Sequence, residues 1–172
     1  MSAIVLGKGD ALLIVDLQND FLPGGSLGVP QGDLVIDPIN TLIALYSSRG
    51  LPIYASRDWH PNDHSSFAAQ GGPWPPHCVA ATPGAAFSQL LSLPRDAIVI
   101  SKAATSQEDA YSAFNGTGLA RSMLADGITR VTVCGLATDY CVLNTVLDGI
   151  DAGFEILLAL EGTRAVELTP GD

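Results

Sequence analysis

Five short apolar runs alternate along the chain with segments in which apolar residues recur at helical spacing. The runs cover residues 11–17, 52–56, 97–101, 130–134 and 154–160, and their lengths suit strands. Residues 35–49, 119–127 and 139–153 have the helical spacing. The first run is almost continuously apolar, which is typical of a parallel strand covered on both faces. The alternation predicts an α/β fold with a mainly parallel sheet.

Two long irregular stretches interrupt this alternation, at residues 19–33 and about 57–82. The first is rich in Gly and Pro, and the second holds all three histidines and both tryptophans. Long loops in a compact domain are usually functional or disordered. Because these loops carry histidine and aromatic residues, we expect them to be functional.

Length, composition and charge limit the number of domains and the kinds of partner that this chain can have. A chain of 172 residues with 47% apolar content is long enough for one domain, and we expect a single domain over residues 1–172. The sequence has no apolar run of about 18 residues, and its first residues lack the basic and apolar pattern of a secretory signal, so we expect neither a membrane span nor a secretory signal. Three cysteines without framework spacing favour a reducing, cytoplasmic setting. A net charge of −10 argues against nucleic acid or an anionic membrane as a partner.

Polar side chains follow four of the predicted strands. Asp16 closes the first, Asp58 and His60 follow the second, Lys102 follows the third, and Cys141 follows the fourth. In open α/β sheets, ligands bind outside the carboxyl ends of the strands. We therefore expect these side chains to meet at one edge of the sheet.

Cys141 lies where a helix is expected to open after a strand and a glycine turn. The free N–H groups and the positive end of the helix dipole stabilise a thiolate there, which favours a nucleophile. Lys102 would stabilise the anions, and Asp16 would accept the thiol proton and later return it. No histidine lies near Cys141 in the sequence, but folding could bring one close, so a Cys–His site stays open.

A metal site is a second candidate. Asp58 and His60 are two residues apart, so in an extended segment they point the same way. His77 follows a stiff Trp-Pro-Pro stretch, and two histidines with one carboxylate suit Zn, Fe or Mn. His64 is a further candidate ligand. Cys78 could also ligate, although a small buried residue is the more ordinary reading.

Five segments together resemble the nicotinamidases, which are metal-containing members of the isochorismatase-like hydrolase superfamily. They are 16–27 (DLQNDFLPGGSL), 58–67 (DWHPNDHSSF), 74–78 (WPPHC), 109–114 (DAYSAF) and 135–141 (GLATDYC). The resemblance runs in order from about residue 11 to the end of the chain. It implies the three-layer α/β/α isochorismatase-like hydrolase fold and hydrolysis of nicotinamide to nicotinic acid and ammonia in NAD salvage, with pyrazinamide as a further substrate.

The resemblance also implies roles for single residues. Cys141 is the nucleophile that forms a thioester, Asp16 is the general base and then acid, and Lys102 completes the triad. The backbone N–H groups of Ala137 and Cys141 form the oxyanion hole, with a cis peptide bond at Leu136–Ala137. Each such donor is worth roughly 100- to 1000-fold in rate.

The resemblance implies a metal-assisted aromatic pocket as well. Asp58, His60 and His77 match the ligands of one divalent metal that holds the ring nitrogen, and His64 is a ligand only in some relatives. We expect zinc, with iron and manganese as alternatives. The residues that match the walls of the ring pocket are Phe21, Trp74, Tyr111 and Leu136.

The chain departs from the family pattern at three places. Ala103 stands where the family usually has Gly, and Tyr140 stands where relatives often have His. The sequence stops at residue 172, where relatives continue with a last helix and strand. An apolar groove left uncovered there would be filled by a partner subunit in a homo-oligomer, or the chain is a shortened version of a longer one; the sequence leaves both open.

Three alternatives remain open. A relative of the same superfamily could act on another small amide or on isochorismate. A catalytically silent domain could bind a metal or ligand, which the combination of Asp16, Lys102 and Cys141 opposes. A redox pair of Cys134 with Cys141 is the third, and it is opposed by the position of Cys134 in an apolar strand.

Overall fold

A computed structural model of the chain describes residues 4–167. Its centre is a sheet of five parallel strands in the order β3-β2-β1-β4-β5. The strands are β1 (Asp10–Val15), β2 (Ile53–Asp58), β3 (Ile98–Lys102), β4 (Arg130–Leu136) and β5 (Glu155–Arg164). Each predicted apolar run is a strand, and the prediction of a parallel sheet is confirmed.

Three α-helices connect the strands. They are α1 (Ile36–Ser48), α2 (Leu119–Ala125) and α3 (Leu143–Asp151). The predicted helix over residues 139–153 is in two parts, because a π-helical turn at Thr138–Val142 precedes α3. The two long stretches predicted to be irregular contain only short 3₁₀ turns, apart from the end of β2, which reaches into the second of them.

The helices cover both faces of the sheet. Every residue of β1 is buried, and its side chains alternate between two apolar cores. Leu12 and Ile14 pack in the core that includes α1, whereas Leu13 and Val15 pack in the core that includes α2. This alternation follows from the two-residue period of a strand. The expectation of a three-layer α/β/α fold is confirmed.

The strand order places a crevice at the carboxyl ends of β1 and β4. The chain moves from β1 to β2 and β3 on one side, and then returns to add β4 and β5 on the other. In open α/β sheets the ligand binds where the strand order reverses in this way. The fold therefore predicts the site beyond Val15 and Leu136.

Some expected boundaries differ from the structure. The last strand was expected to end at residue 160, but β5 continues to Arg164, beyond a shift in its register against β4 between Val133 and Gly135. The end of the chain at residues 170–172, on which the expectation of a missing helix and strand rests, lies outside the described residues. Within residues 4–167, no helix is long and apolar enough to cross a membrane.

Candidate active site

The ends of three strands bring the expected triad together. Asp16 directly follows β1 in a left-handed backbone conformation (φ 49°), and its N–H donates to the Ser56 carbonyl on β2. Lys102 is the last residue of β3, and Cys141 lies in the π-helical turn after β4. All three side chains are buried, so the structure places the predicted residues side by side.

The Lys102 ammonium is the centre of this cluster. Its Nζ lies 2.9 Å from Asp16 Oδ2 and 3.7 Å from Cys141 Sγ. It also donates to a carboxylate oxygen of Asp58 and to the Ala110 carbonyl, the latter at 3.1 Å. Asp58, which was expected only as a metal ligand, therefore also forms an ion pair with Lys102.

Burial opposes the charged form of every group in the site. It raises the pKa of the Cys141 thiol well above its usual value, and the nearby Lys102 ammonium does not outweigh it. Burial therefore opposes the thiolate that the helix start was expected to stabilise. Burial would lower the pKa of Lys102, but Asp16 and Asp58 outweigh it and raise that pKa well above its usual value. Cys141 therefore needs a neighbouring base to take its proton before it can act as a nucleophile.

Asp16 has the position of that base. Burial raises the pKa of its carboxyl group, with the Lys102 charge acting in the opposite direction. Its Oδ1 accepts a hydrogen bond from Ser56 Oγ at 2.7 Å. Its Oδ2 lies beside Lys102 but accepts no well-directed hydrogen bond from any described residue. One carboxylate oxygen each of Asp16 and Asp58 and the Cys141 sulfur lie within 4.8 Å of one another, which makes Asp16 a candidate acceptor of the thiol proton.

A second cluster lies next to the triad. The ligand atoms of Asp58, His60 and His77 all lie within 4.8 Å of one another, and all three residues are buried. Burial lowers the pKa of His77, which favours the neutral imidazole that metals bind. Burial would raise the pKa of Asp58, but Lys102 and His60 outweigh it and hold that carboxyl group ionised.

The orientation of the two rings fits a divalent metal ion. His60 Nδ1 lies 3.0 Å from the Ala103 carbonyl, and His77 Nδ1 lies 2.8 Å from the Pro75 carbonyl. A carbonyl can only accept, so each Nδ1 donates its hydrogen there, and Nε2 is the atom of each ring that is left to bind a metal. Metal-binding histidines typically have this arrangement. The residues present therefore fit a metal bound by two imidazoles and one carboxylate.

His64 is not brought into this cluster. Its ring stacks on His60 with a centroid separation of 4.1 Å. Its Nδ1 lies 2.7 Å from Ser66 Oγ, and its Nε2 lies 3.0 Å from the Glu108 carbonyl. Both ring nitrogens are thus engaged, and His64 connects the loop after β2 to the loop after β3.

An aromatic cavity opens beside both clusters. Phe21, Trp74 and Tyr111 line it as expected, together with Ala137 and Cys141. The described residues that line the cavity do not include Leu136, which is buried in the apolar core on the α1 side.

Tyr140 is part of the cavity wall, which the sequence did not indicate. Its ring packs edge-on against Trp74, with centroids 5.6 Å apart, and lies 6.0 Å from Tyr111. Trp74 Nε1 donates to the Tyr111 hydroxyl at 3.1 Å. Three aromatic side chains therefore support one another on one side of the cavity.

Ala103, which stands where the family usually has Gly, does not disturb the site. Ala103 takes the left-handed conformation (φ 49°) that glycine favours, and the Lys102 amine is in place. The Ala103 carbonyl faces His60. On the other side of the site, the Leu136–Ala137 peptide bond is cis.

The other two cysteines are separate from this chemistry. Cys78, Cys134 and Cys141 are all free thiols. Burial raises the pKa of both Cys78 and Cys134, so both are expected to be unreactive. The alternative of a disulfide between Cys134 and Cys141 therefore has no support in the structure.

Sequence reasoning also missed Gln18. Its side chain is buried and forms hydrogen bonds with the backbone of Asp58. A glutamine two residues after Asp16 carries no chemical signal of its own, because its partner is 40 residues away. Only the folded structure places it at the site.

The chain is similar to known proteins over nearly its whole length. Residues 10–169 match the family described as the isochorismatase domain. The chain is 41% identical to the nicotinamidase of Escherichia coli, an alignment that covers 94% of this chain and 86% of that protein.

Solved structures have the same fold. A pyrazinamidase of Pyrococcus horikoshii in complex with zinc is 47% identical, with a TM-score of 0.90 over 94% of this chain and 88% of the other. PnC1 from L. infantum in complex with nicotinate is 42% identical, with a TM-score of 0.88 over 96% of this chain and 86% of the other. Both similarities span the candidate site.

Proposed function

Since the chain belongs to the isochorismatase family, we propose that it hydrolyses the carboxamide of nicotinamide to nicotinic acid and ammonia. The observation that carries the proposal is the position of Cys141, Lys102 and Asp16 in and beside an aromatic cavity that also reaches Asp58. The relatives named nicotinamidase, and the related structure that contains nicotinate, support this choice of substrate.

The reaction begins with proton transfer from Cys141 to Asp16. The sulfur then attacks the carboxamide carbon, and Asp16 returns the proton to the nitrogen, so that ammonia leaves and a thioester remains. Asp16 next takes a proton from water as the water oxygen attacks the thioester carbon. The carbon–sulfur bond then breaks, Asp16 returns the proton to the Cys141 sulfur, and nicotinic acid is released. Lys102 stays charged throughout and holds Asp16 beside the sulfur.

The oxyanion formed in both steps needs donors. We assign this role to the backbone N–H groups of Ala137 and Cys141, which belong to residues that line the cavity. Donors fixed in the backbone need no rearrangement as the charge develops, so each is worth roughly 100- to 1000-fold in rate.

Asp58, His60 and His77 would hold one divalent metal ion, which we propose to be zinc. The zinc-containing structure of a related pyrazinamidase supports this choice. A bound metal would supply a Lewis-acid site for the ring nitrogen of the substrate. His64 is not part of the proposed ligand set, because both of its ring nitrogens have partners in the protein.

The lining of the cavity suits a flat aromatic substrate. Phe21, Trp74 and Tyr111 offer ring faces and edges for stacking, and a small buried cavity excludes water. Pyrazinamide has the same shape and a ring nitrogen at the same position, so we propose it as a second substrate.

The test is ammonia release from nicotinamide by the zinc-loaded protein. Cys141→Ala should lower turnover by roughly 10⁴- to 10⁶-fold, as is typical for the loss of a nucleophile. Cys134→Ala is the matched control, because Cys134 is also a buried free cysteine and lies outside the cavity lining. Activity of Cys141→Ala near that of the control would refute the nucleophile.

The alternative is an amidohydrolase for another small amide. An aliphatic amide such as maleamate, offered beside nicotinamide, distinguishes the two. Turnover of the aliphatic amide alone would refute the proposed substrate and retain the proposed chemistry. Absence of turnover on any amide, with an intact fold and bound zinc, would favour a silent binding domain.

A further inference from the structure

The pairing of β1 with β2 stops before β2 ends. The last paired residues are Val15 and Ser56, and the Asp16 N–H still donates to the Ser56 carbonyl at 3.1 Å. The chain then turns away at Asp16, while β2 continues to Asp58. The N–H and carbonyl groups of Asp58 on this side would lack a strand partner, which is costly for buried backbone.

The Gln18 side chain takes the place of that partner. Its Oε1 accepts from the Asp58 N–H at 2.8 Å, and its Nε2 donates to the Asp58 carbonyl at 2.8 Å. The other Nε2 hydrogen is donated to the Ala85 carbonyl at 2.9 Å. Gln18 is fully buried, and both polar atoms of its amide are used.

Asp58 is the residue that the two clusters share. Its Oδ1 forms the hydrogen bond with Lys102, and its Oδ2 lies 3.7 Å from His60 Nε2. A shift of the Asp58 backbone would therefore displace the carboxylate from both clusters at once. Displacements of about 1 Å can cost roughly 100-fold in function.

We infer that Gln18 is a positioning residue, which fixes the Asp58 backbone so that one carboxylate serves both the Lys102 ion pair and the metal cluster. The inference rests on the proposed function, because it takes Asp58 as a metal ligand. The backbone of the same segment is held independently, since Asn19 donates to the Ala86 carbonyl and Ser88 donates to the Leu17 carbonyl.

The test compares two side-chain amides that hold backbone in the same way. Asn40 Nδ2 donates to the Leu90 carbonyl at 2.9 Å, and Asn40 Oδ1 accepts from the Ser92 N–H at 2.8 Å. This pair of bonds on α1 lies outside the cavity lining. Asn40→Leu therefore removes an amide of the same kind without touching Asp58.

The measured quantity is the dissociation constant of Zn²⁺ alone, obtained by competition with a chelator. Gln18→Met keeps the length of the side chain and removes its hydrogen bonds, and it should weaken zinc binding about 10- to 100-fold, as loss of a residue supporting a metal ligand typically does. Asn40→Leu should leave zinc binding unchanged. Unfolding of both variants in chelator shows whether their stabilities are matched.

Equal zinc affinity of Gln18→Met and the wild-type protein would overturn the inference. If Gln18→Met does not fold, Gln18→Asn replaces it. The shorter amide cannot reach Asp58 and Ala85 together, so it should also weaken zinc binding, and wild-type affinity in this variant would overturn the inference as well. Failure of the wild-type protein to hydrolyse nicotinamide would refute the proposed substrate, but it would not affect the comparison of zinc affinities.

Discussion

Gly135 on β4 pairs with Val15 on β1 and leaves no room for a side chain. A Cβ atom at this position would lie 2.0 Å from the Val15 carbonyl oxygen and 2.6 Å from the Val15 nitrogen. Its φ of 118° is also in a region that residues with a side chain rarely adopt. Asp16 directly follows Val15, so this contact fixes the distance between the proposed base and the segment that carries Cys141.

Gly135→Ala should therefore cost stability for two reasons. A contact at 2.0 Å with backbone can be relieved only if the strands separate, and such overpacking costs about 1–3 kcal/mol or more. The unfavourable φ adds about 1–2 kcal/mol. The sum is about 2–5 kcal/mol, which corresponds to a fall in Tm of roughly 5–15 °C for a chain of this length.

Gly127→Ala isolates the effect of the backbone conformation. Gly127 has a φ of 77°, but a Cβ atom there would meet nothing within 4 Å. This control should lose only about 1–2 kcal/mol, or roughly 2–6 °C in Tm. The assay is thermal unfolding of both variants in chelator, followed by ammonia release from nicotinamide with zinc restored.

The decisive measurement is the difference in Tm and in turnover between Gly135→Ala and Gly127→Ala. Gly135→Ala should melt below Gly127→Ala and should also lose turnover, because Asp16 moves away from Cys141. Equal melting temperatures would refute the reasoning that the strands are in contact at Gly135. A lower Tm with wild-type turnover at a temperature where the variant is folded would refute the link from this contact to Asp16.

Two further predictions concern the metal and pH. His77→Ala should lower the zinc content of the purified protein, as measured by elemental analysis. His64→Ala should retain the zinc, because the His64 ring nitrogens lie against Ser66 and Glu108. Equal loss of zinc in the two variants would contradict this. Burial would raise the pKa of Asp10, but the hydrogen bonds from Arg130 and the Gly7 N–H outweigh it and lower that pKa. The stabilisation is therefore present above the ordinary aspartate pKa of about 3.9 and is lost as pH falls through the lower pKa of the folded protein. The difference in stability between the wild-type protein and Asp10→Asn should therefore shrink in acid. A difference in unfolding midpoint that stays constant from neutral to acid pH would contradict the assignment.

The strands and their common edge could be predicted from the sequence because the signals are local. The apolar run of β1 and the helical spacing of α1 each reflect burial of a single element. The rule for carboxyl ends of parallel strands then brought Asp16, Lys102 and Cys141 together without knowledge of the strand order. The structure agrees on all three positions.

Features that depend on distant contacts could not be predicted. The register shift between β4 and β5 places Thr163 opposite Gly135, which no local pattern indicates. The resemblance offered Leu136 as a cavity wall, but its side chain is in the core. His64 could not be separated from His60 by spacing, because the difference lies in its contact with Glu108.

The ionisation of Cys141 also depends on distant contacts. A helix start lowers a thiol pKa only while water or donors solvate the anion. Here burial and the carboxylates of Asp16 and Asp58 oppose ionisation more strongly than Lys102 favours it. The balance is set by residues from three strands, so a local sequence argument had access to only part of it.

The same charges explain why the two clusters belong together. Lys102 supplies one positive charge to two buried carboxylates, Asp16 and Asp58, and a buried negative charge without a partner is costly. The fold can balance this charge by protonating Asp16, whose pKa burial raises, or by placing a cation at Asp58. Of these two, the second leaves Asp16 free to accept the Cys141 proton. His60 and His77 lie beside Asp58 and could hold such a cation through Nε2, so the metal cluster would also preserve the base.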